Sequence, residues 1–275
     1  MKIVKTIEEL QNIIKQIDNA IGFVPTMGAL HDGHISLIKR SIRENDITVV
    51  SIFVNPTQFL EGEDLDKYPK KDQADQKICE LCGVDYLFMP DINTMYSKDE
   101  VLIKAPKIKG FILEGEKRAG HFDGMLQIVL KLLNIVTPTN SYFGKKDAQQ
   151  LSLIKQMVKN FYLKTNIIAC DIVREPDGLA YSSRNVYLSK QEREKSLNIS
   201  RSLNLAAKQI SCGEFDVIKL ENMIIDYLKK GDIDIEYVKI VNYDLQSITN
   251  VEINNTIILI AVKIGNTRLI DNIWI

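Results

Sequence analysis

Histidine is scarce in this sequence, with three in 275 residues, and there is a single tryptophan and only four cysteines. Four cysteines in a chain this long do not make a disulfide framework, and none is needed for a chain able to bury a large core. Cys79 and Cys82 form a C-x-x-C, but no second ligand pair follows at the spacing that zinc requires. They fall at the end of an amphipathic pattern, where cysteine packs as a small apolar residue. Reduced thiols lead us to expect a cytoplasmic protein. Charge of one sign is also missing: 35 basic against 36 acidic residues leave a net charge of −1. No basic field exists to hold nucleic acid by counterion release. Long hydrophobic runs are absent as well. Ile128–Val136 is interrupted by Lys131 and Asn134, and Thr256–Val262 falls far short of the ~20 residues a membrane helix needs. Met1–Lys5 is not followed by the apolar core of a signal peptide. The expectation is a protein with neither nucleic-acid nor membrane partners. If its substrate is anionic, its positive groups must be gathered at one site.

What is present is an alternation of short β-branched runs with helical patterns. Strands are expected at Ile21–Pro25, Ile47–Val54, Asp85–Pro90, Ser141–Gly144 and Asn166–Val173. Helices are expected over 33–45, Lys71–Leu81, Gly124–Val136 and Ala148–Asn160. Such alternation predicts a parallel sheet with right-handed crossovers, an α/β Rossmann-like doubly wound fold. The near-continuous apolar run ITVVSIF (47–53) fits a strand covered on both faces. After Arg174-Glu-Pro-Asp-Gly178 the pattern changes. Ser189-Lys-Gln-Glu192 is a capping box that should open a helix reaching about Ile210. A second helix, Val217–Lys229, is followed by strands at Ile235–Asn242, Thr256–Ile264 and Arg268–Ile270. We therefore expect a nucleotide-binding domain over 1–175 and a smaller α+β domain over 176–275.

Pro25-Thr-Met-Gly28-Ala-Leu-His31-Asp-Gly33-His34 sits where the first of these strands hands over to a helix. Free backbone amides and the helix dipole make such a junction an anion site. Gly28 and Gly33 imitate P-loop spacing, yet His34 and Ile35 stand where Lys and Ser/Thr belong. No G-x-G-x-x-G is present for a dinucleotide. Zinc on His31 and His34 would lack further ligands. The reading that survives is a H-x-x-H clamp, with two imidazoles on one face of the helix start donating to a triphosphate.

Three further segments lie at comparable junctions. Gly144-Lys145-Lys146-Asp147 follows a strand and opens a helix, offering an ammonium to phosphate. Tyr181-Ser182-Ser183-Arg184 collects two hydroxyls and a guanidinium. Asn55-Pro-Thr-Gln58 ends the strongest strand with amides able to read hydroxyl and carboxylate groups. The loop Glu114–Gly124 is Gly-rich and holds the third histidine, His121.

PTMGALHDGH (25–34), SIFVNPTQF (51–59), EDLDKYP (63–69), GHFDG (120–124), GKKDAQQL (144–151), DGLAYSSRNVYL (177–188) and TRLIDN (267–272) occur in this order over nearly the whole chain. Together they resemble the pantoate–β-alanine ligase family of H-x-x-H nucleotidyltransferases. The resemblance implies that Met27, Gly28, Ala29, Leu30, His31, Asp32, Gly33 and His34 hold ATP, with His34 as proton donor and His31 on a phosphate. Gly144, Lys145, Lys146, Asp147, Val173, Tyr181, Ser182, Ser183 and Arg184 would complete that site, with Mg²⁺ bridging the phosphates. Gln58 and Gln150 would hold pantoate, and Asn55 is a further candidate substrate contact. The reaction implied joins (R)-pantoate to β-alanine through a pantoyl-adenylate, in a homodimer whose small domain acts as a lid. His34, His31, Lys146 and Arg184 are the expected catalytic groups. The alternative is a nucleotidyltransferase acting on another small substrate. Lys145, Ala119, Lys70 and Tyr181 depart from the usual family pattern.

Overall fold

The computed structural model describes residues 1–275, which divide into two units. The first unit comprises Met1–Lys145 with Gln149–Asp171, and the second Lys146–Ala148 with Ile172–Ile275.

In the first unit the chain runs β1 (Lys2–Val4), α1 (Ile7–Ile14), β2 (Ile21–Thr26), α2 (Asp32–Glu44), β3 (Ile47–Ile52), α3 (Asp72–Cys82) and β4 (Tyr86–Phe88). Two short helices follow, α4 (Ile92–Met95) and α5 (Glu114–Lys117), then α6 (His121–Val136) and β5 (Asn140–Gly144). Helix α7 (Ala148–Asn160) and β6 (Asn166–Cys170) complete it. The six strands pair in parallel in the order β1-β4-β3-β2-β5-β6. The chain steps outward from β2 through β3 and β4, then returns to lay β5 on β2's other side. The carboxyl end of β2 is thus the reversal point, where open α/β sheets take their ligands. Phe23, Val24, Val49 and Val50 are fully buried, as expected of central strands covered on both faces. Helix α2 turns Leu37 and Ile38 into this core and keeps Arg40, Arg43 and Glu44 outside it.

The second unit holds α8 (Lys190–Ser211), α9 (Val217–Lys230) and an antiparallel sheet of β7 (Asp234–Asn242), β8 (Thr256–Ile264) and β9 (Thr267–Trp274). Its core includes Ile199, Leu203, Ile224, Leu228, Ile258 and Ile260. The capping box forms: Glu192 N–H donates to Ser189 Oγ at 3.3 Å and Ser189 N–H to Glu192 Oε2 at 2.8 Å.

Some elements differ from the expected ones. Strand β1 and helix α1 have no counterpart in the sequence reading, because three residues carry no period and β1 exists through its pairing with β4. Helix α6 starts at His121 and not at Gly124. Strand β6 stops at Cys170, and Arg174 pairs antiparallel with Ala180 across a turn. Strand β9 extends well beyond Arg268–Ile270, through Asp271 and Asn272. Those residues look like loop in the sequence, yet both are buried, and Arg174 grips Asp271 at 2.6 and 3.0 Å. Cys79 is buried and free, its thiol pushed up to about 12 by desolvation, so it stays a packed thiol.

The Arg174–Asp271 pair yields a test. Asp271→Ala strands a partly buried guanidinium and should lower stability by about 2–3 kcal/mol, read as a drop in the urea midpoint.

Candidate active site

The mouth of the first unit is built by a turn that the protein holds from beneath. After β2, Gly28 takes φ +81° and Ala29 φ +50°. A Cβ on Gly28 would meet Asp75 Oδ2 at 3.0 Å in addition to the strain of that conformation. Asp75, 1% exposed on α3, accepts from Ala29 N–H and Leu30 N–H, both at 2.8 Å. Burial raises the pKa of its carboxyl and the two amides work against that rise. Gly28 N–H donates to Thr26 Oγ1 at 3.2 Å, and His31 N–H to His34 Nδ1 at 3.4 Å. The expected amide cradle is therefore corrected for residues 28–31. Those four donors face acceptors of the protein itself.

Two imidazoles stand at the head of α2. His31 is the N-cap of α2 and His34 lies in its first turn, with ring centroids 4.1 Å apart. His34 Nδ1 accepts from the backbone, and that contact orients the ring at the head of α2. Asp32 and Gly33 complete this turn.

A second group comes from the end of β3. Pro56–Gln58 forms a 3-10 turn. Gln58 Nε2 lies 3.2 Å from Met27 Sδ, so the amide reaches the same mouth as the histidine turn. Asn55 is 1% exposed and its amide is fully engaged. Its Nδ2 donates to Gln58 Oε1 and Gly124 O, both at 3.1 Å, and its Oδ1 accepts from Tyr96 Oη at 2.7 Å and Thr57 Oγ1 at 3.0 Å. The expectation of a substrate contact is corrected here: every donor and lone pair of Asn55 has a protein partner, and it orients Gln58.

Helix α6 holds this turn from the other side. A Cβ on Gly124 would stand 2.2 Å from Thr57 O, so the close approach demands glycine. Buried His121 bonds Gln58 O through Nδ1 at 2.7 Å and receives Arg118 Nη1 at Nε2 at 3.1 Å. Those partners fix a neutral ring protonated on Nδ1. Desolvation, aided by the Arg118 charge, pulls its pKa down to about 4. Arg118 in turn forks onto Glu63 at 2.6 and 2.7 Å.

Gln150 is half-buried near the start of α7. Its neighbour Gln149 is 3% exposed and clamps a loop, donating to Lys109 O and Ile112 O at 2.7 and 2.8 Å and accepting from Glu114 N–H at 2.9 Å. Gly144 ends β5, and Lys145 leads the next 3-10 turn with its ammonium 2.6 Å from Asp171.

The second unit carries the remaining candidates. Lys146 and Asp147 belong to it, and Asn272 Nδ2 holds Lys146 O at 2.7 Å. Val173 O accepts from Tyr181 N–H at 3.1 Å. Ser182 Oγ accepts from Arg184 N–H at 3.3 Å and so caps the 3-10 turn Ser183–Tyr187, which displays Ser183 and Arg184. Arg193 braces the preceding turn through Glu175 at 2.6 Å and Asp177 at 2.7 Å.

Asp75, His121, Gln149 and Asn272 are positioning residues to which the sequence reading gave no such role. Asp75 meets its partners across 46 and 45 positions and His121 across 63, separations that leave no local pattern.

Two outcomes check this scaffold. Asp75→Ala leaves two buried amides unpaired and should cost about 2–4 kcal/mol, with Asp75→Asn intermediate, in denaturant titrations. For His121, the folded pKa of about 4 lies below the unfolded 6.5. Between these values the unfolded chain binds a proton that the folded chain refuses, so stability falls as pH falls. The loss from pH 7 to pH 5 should be about 2 kcal/mol, and His121→Gln should flatten that slope.

The family model described as Pantoate-beta-alanine ligase matches residues 2–274. A protein of Aliarcobacter butzleri named pantothenate synthetase is 60% identical over the full length of both chains. One of Helicobacter pylori with the same name is 45% identical, again over the full length of both. The crystal structure of pantothenate synthetase from Thermus thermophilus superposes with a TM-score of 0.95 at 35% identity, covering 99% of each chain. A Francisella tularensis pantoate-beta-alanine ligase complexed with beta-gamma ATP and beta-alanine superposes with a TM-score of 0.82 at 39% identity, over 100% of this chain and 97% of that one. With this fold, these motifs and these relatives, the chain belongs to the pantoate–β-alanine ligase family and is a ligase of that kind.

Proposed function

We propose that the enzyme joins (R)-pantoate to β-alanine in two displacements, through a pantoyl-adenylate. A carboxylate will not yield an amide directly, because oxide is too poor a leaving group. In the first displacement a pantoate carboxylate oxygen attacks the α-phosphorus of ATP, the bond to the β,γ-phosphates breaks, and pyrophosphate leaves. In the second the free amine of β-alanine attacks the acyl carbon, AMP leaves with the bonding pair, and the nitrogen releases a proton. The first step needs no base, since the carboxylate is ionised at neutral pH. It needs donors where charge builds on the crowded phosphorus.

The observation that carries this reading is the pairing of His31 with His34 at the carboxyl end of β2, with the Gln58 amide beside Met27 at the same mouth. A phosphate clamp and a hydroxyl- and carboxylate-reading amide thus share one opening. Under the proposal His34 Nε2–H donates to phosphate, His31 contributes a second donor, and Gln58 and Gln150 hold pantoate, with Asn55 and His121 orienting Gln58. Lys146, Ser182, Ser183 and Arg184, carried by the second unit, are donors of the kind phosphate oxygens take. No three His, Cys, Asp or Glu side chains come together as a metal cage. Mg²⁺ would be held through nucleotide phosphates and water. When bound, the ion neutralises charge on the triphosphate.

We place the enzyme in the cytoplasm as a homodimer. Its cysteines are all free, and no helix is long and apolar enough to cross a membrane.

Pyrophosphate–ATP isotope exchange tests the first displacement. Exchange should require pantoate and no amine, and AMP should appear only once β-alanine is added. Exchange without any acid substrate, or AMP release without amine, would refute the scheme. His34→Ala and Lys146→Ala should each lose at least ~100-fold in kcat while remaining folded. Gln58→Ala should raise the KM for pantoate more than that for ATP.

A further inference from the structure

Tyr96 closes helix α4, and its ring is placed by two neighbours. The Phe53 ring stands 6.3 Å away, centroid to centroid, and the ammonium of Lys131 lies 4.6 Å from the centre of the tyrosine ring. Lys131 comes from α6 and is itself anchored, donating to Met95 O and pairing with Glu100 Oε1 at 2.6 Å. Ser97 N–H holds the other oxygen of that carboxylate at 3.0 Å. Packing of this kind asks only for an aromatic ring, and phenylalanine would supply it. What tyrosine adds is a hydroxyl, and both of its partners belong to the Gln58 turn: Asn55 Oδ1 at 2.7 Å and Thr57 Oγ1 at 3.2 Å.

The direction of the hydrogen bonds beyond Tyr96 follows from the one group that cannot change role. Gly124 O is a main-chain carbonyl and only accepts, so the Asn55 atom 3.1 Å from it is the amide nitrogen, Nδ2. The carbonyl oxygen of Asn55 then faces the other way, where Tyr96 and Thr57 both donate to it. The second hydrogen of Nδ2 goes to Gln58, which must present its own oxygen, Oε1, at 3.1 Å. That leaves Gln58 Nε2 as the free end, a donor whose partner is the thioether of Met27 at 3.2 Å. A thioether is a weak acceptor, which a substrate oxygen would readily displace.

Tyr96 is the sheltered one of the two donors to Asn55 Oδ1: Thr57 is exposed, whereas Tyr96 is half-buried. Desolvation raises the pKa of the tyrosine hydroxyl, so it keeps its proton and stays a donor through neutral pH. Without that donor the buried Asn55 carbonyl would keep only an exposed partner, and the hold of Asn55 on Gln58 Oε1 would loosen.

We propose that Tyr96 is a positioning residue for the acid substrate: acting through Asn55, its hydroxyl keeps Gln58 Nε2–H as the group that grips an acceptor oxygen of pantoate. This rests on the reading of Gln58 as a pantoate contact. The bonds run from Tyr96 through Asn55 to Gln58 and do not pass through His31 or His34, so the effect falls on the acid and not on ATP.

A double-mutant cycle in pantoate-dependent pyrophosphate exchange, run on the full chain, tests the proposal. Tyr96→Phe keeps the ring beside Phe53 and Lys131. It should raise the KM for pantoate about 10-fold, the size of one lost hydrogen bond, with kcat and the KM for ATP within about 2-fold of wild type. In a Gln58→Ala background the same change should shift the pantoate KM less than about 2-fold, whereas a purely structural tyrosine would act alike in both backgrounds. Asn55→Asp probes the same bonds without touching the tyrosine. Its carboxylate still accepts from Tyr96 but has no hydrogen for Gln58 Oε1, so the pantoate KM should rise at least as far. An unchanged pantoate KM in Tyr96→Phe or in Asn55→Asp, or an equal rise with and without Gln58, overturns the inference and leaves the ligase reading intact. If Gln58→Ala itself leaves the pantoate KM unchanged, the assignment of Gln58 to pantoate fails and this inference fails with it.

Discussion

A single carboxylate sets the shape of the mouth on which the rest of the site depends. Asp75 reaches from α3 to the two amides that follow Gly28, and with them fixes where β2 ends and α2 begins. An ionised carboxylate is costly to bury, and here the two amides offset that cost. The arrangement decides how the junction can recognise an anion. A bare strand–helix turn presents its main chain, whereas this one has committed those donors to Asp75, Thr26 and His34. The side chains at the head of α2 are the imidazoles of His31 and His34.

The same division of labour recurs at Gln58. Gln58 is itself nearly buried, its amide held by Asn55 and against Met27, and the residues behind it are buried with hydrogen bonds of their own. Asn55 fixes the Gln58 amide from one side, and Gly124 lets α6 approach until its first turn touches the main chain of Thr57. His121 is kept neutral by burial and by Arg118, which makes it a dependable donor to Gln58 O near neutral pH. Groups held this way lose little freedom when a ligand arrives, so a preorganised site can direct its binding energy to chemistry.

Helix α6 is the common member of these contacts. Its amino-terminal turns hold the Gln58 turn through His121 and Gly124, and Asp123 and Gln127 pin the extended stretch at 101–105. The loop after that stretch is gripped by Gln149, next to Gln150 on α7. One helix and one glutamine therefore tie this stretch and the loop after it to the Gln58 turn and the start of α7.

The period of the apolar residues was enough to declare a parallel α/β sheet followed by a helical pair and further strands, because burial on both faces, or on one, leaves its mark at spacings of two and of three to four. The motif segments were legible for a similar reason: His31, His34, Gln58, Lys146 and Arg184 stand at junctions, where turn chemistry and strand ends are written locally. Tertiary structure alone decided what supports them. Asp75, His121 and Asn272 act on main-chain groups many tens of residues away, so their neighbours in sequence carry no trace of the contact. Asn55 looked like a ligand until its four bonds were accounted for, and β9 looked short until Arg174 was found against Asp271. Residue type and local period determine which elements form and which side chains are reactive; which polar atoms remain to meet a ligand is settled only when distant donors and acceptors have been paired.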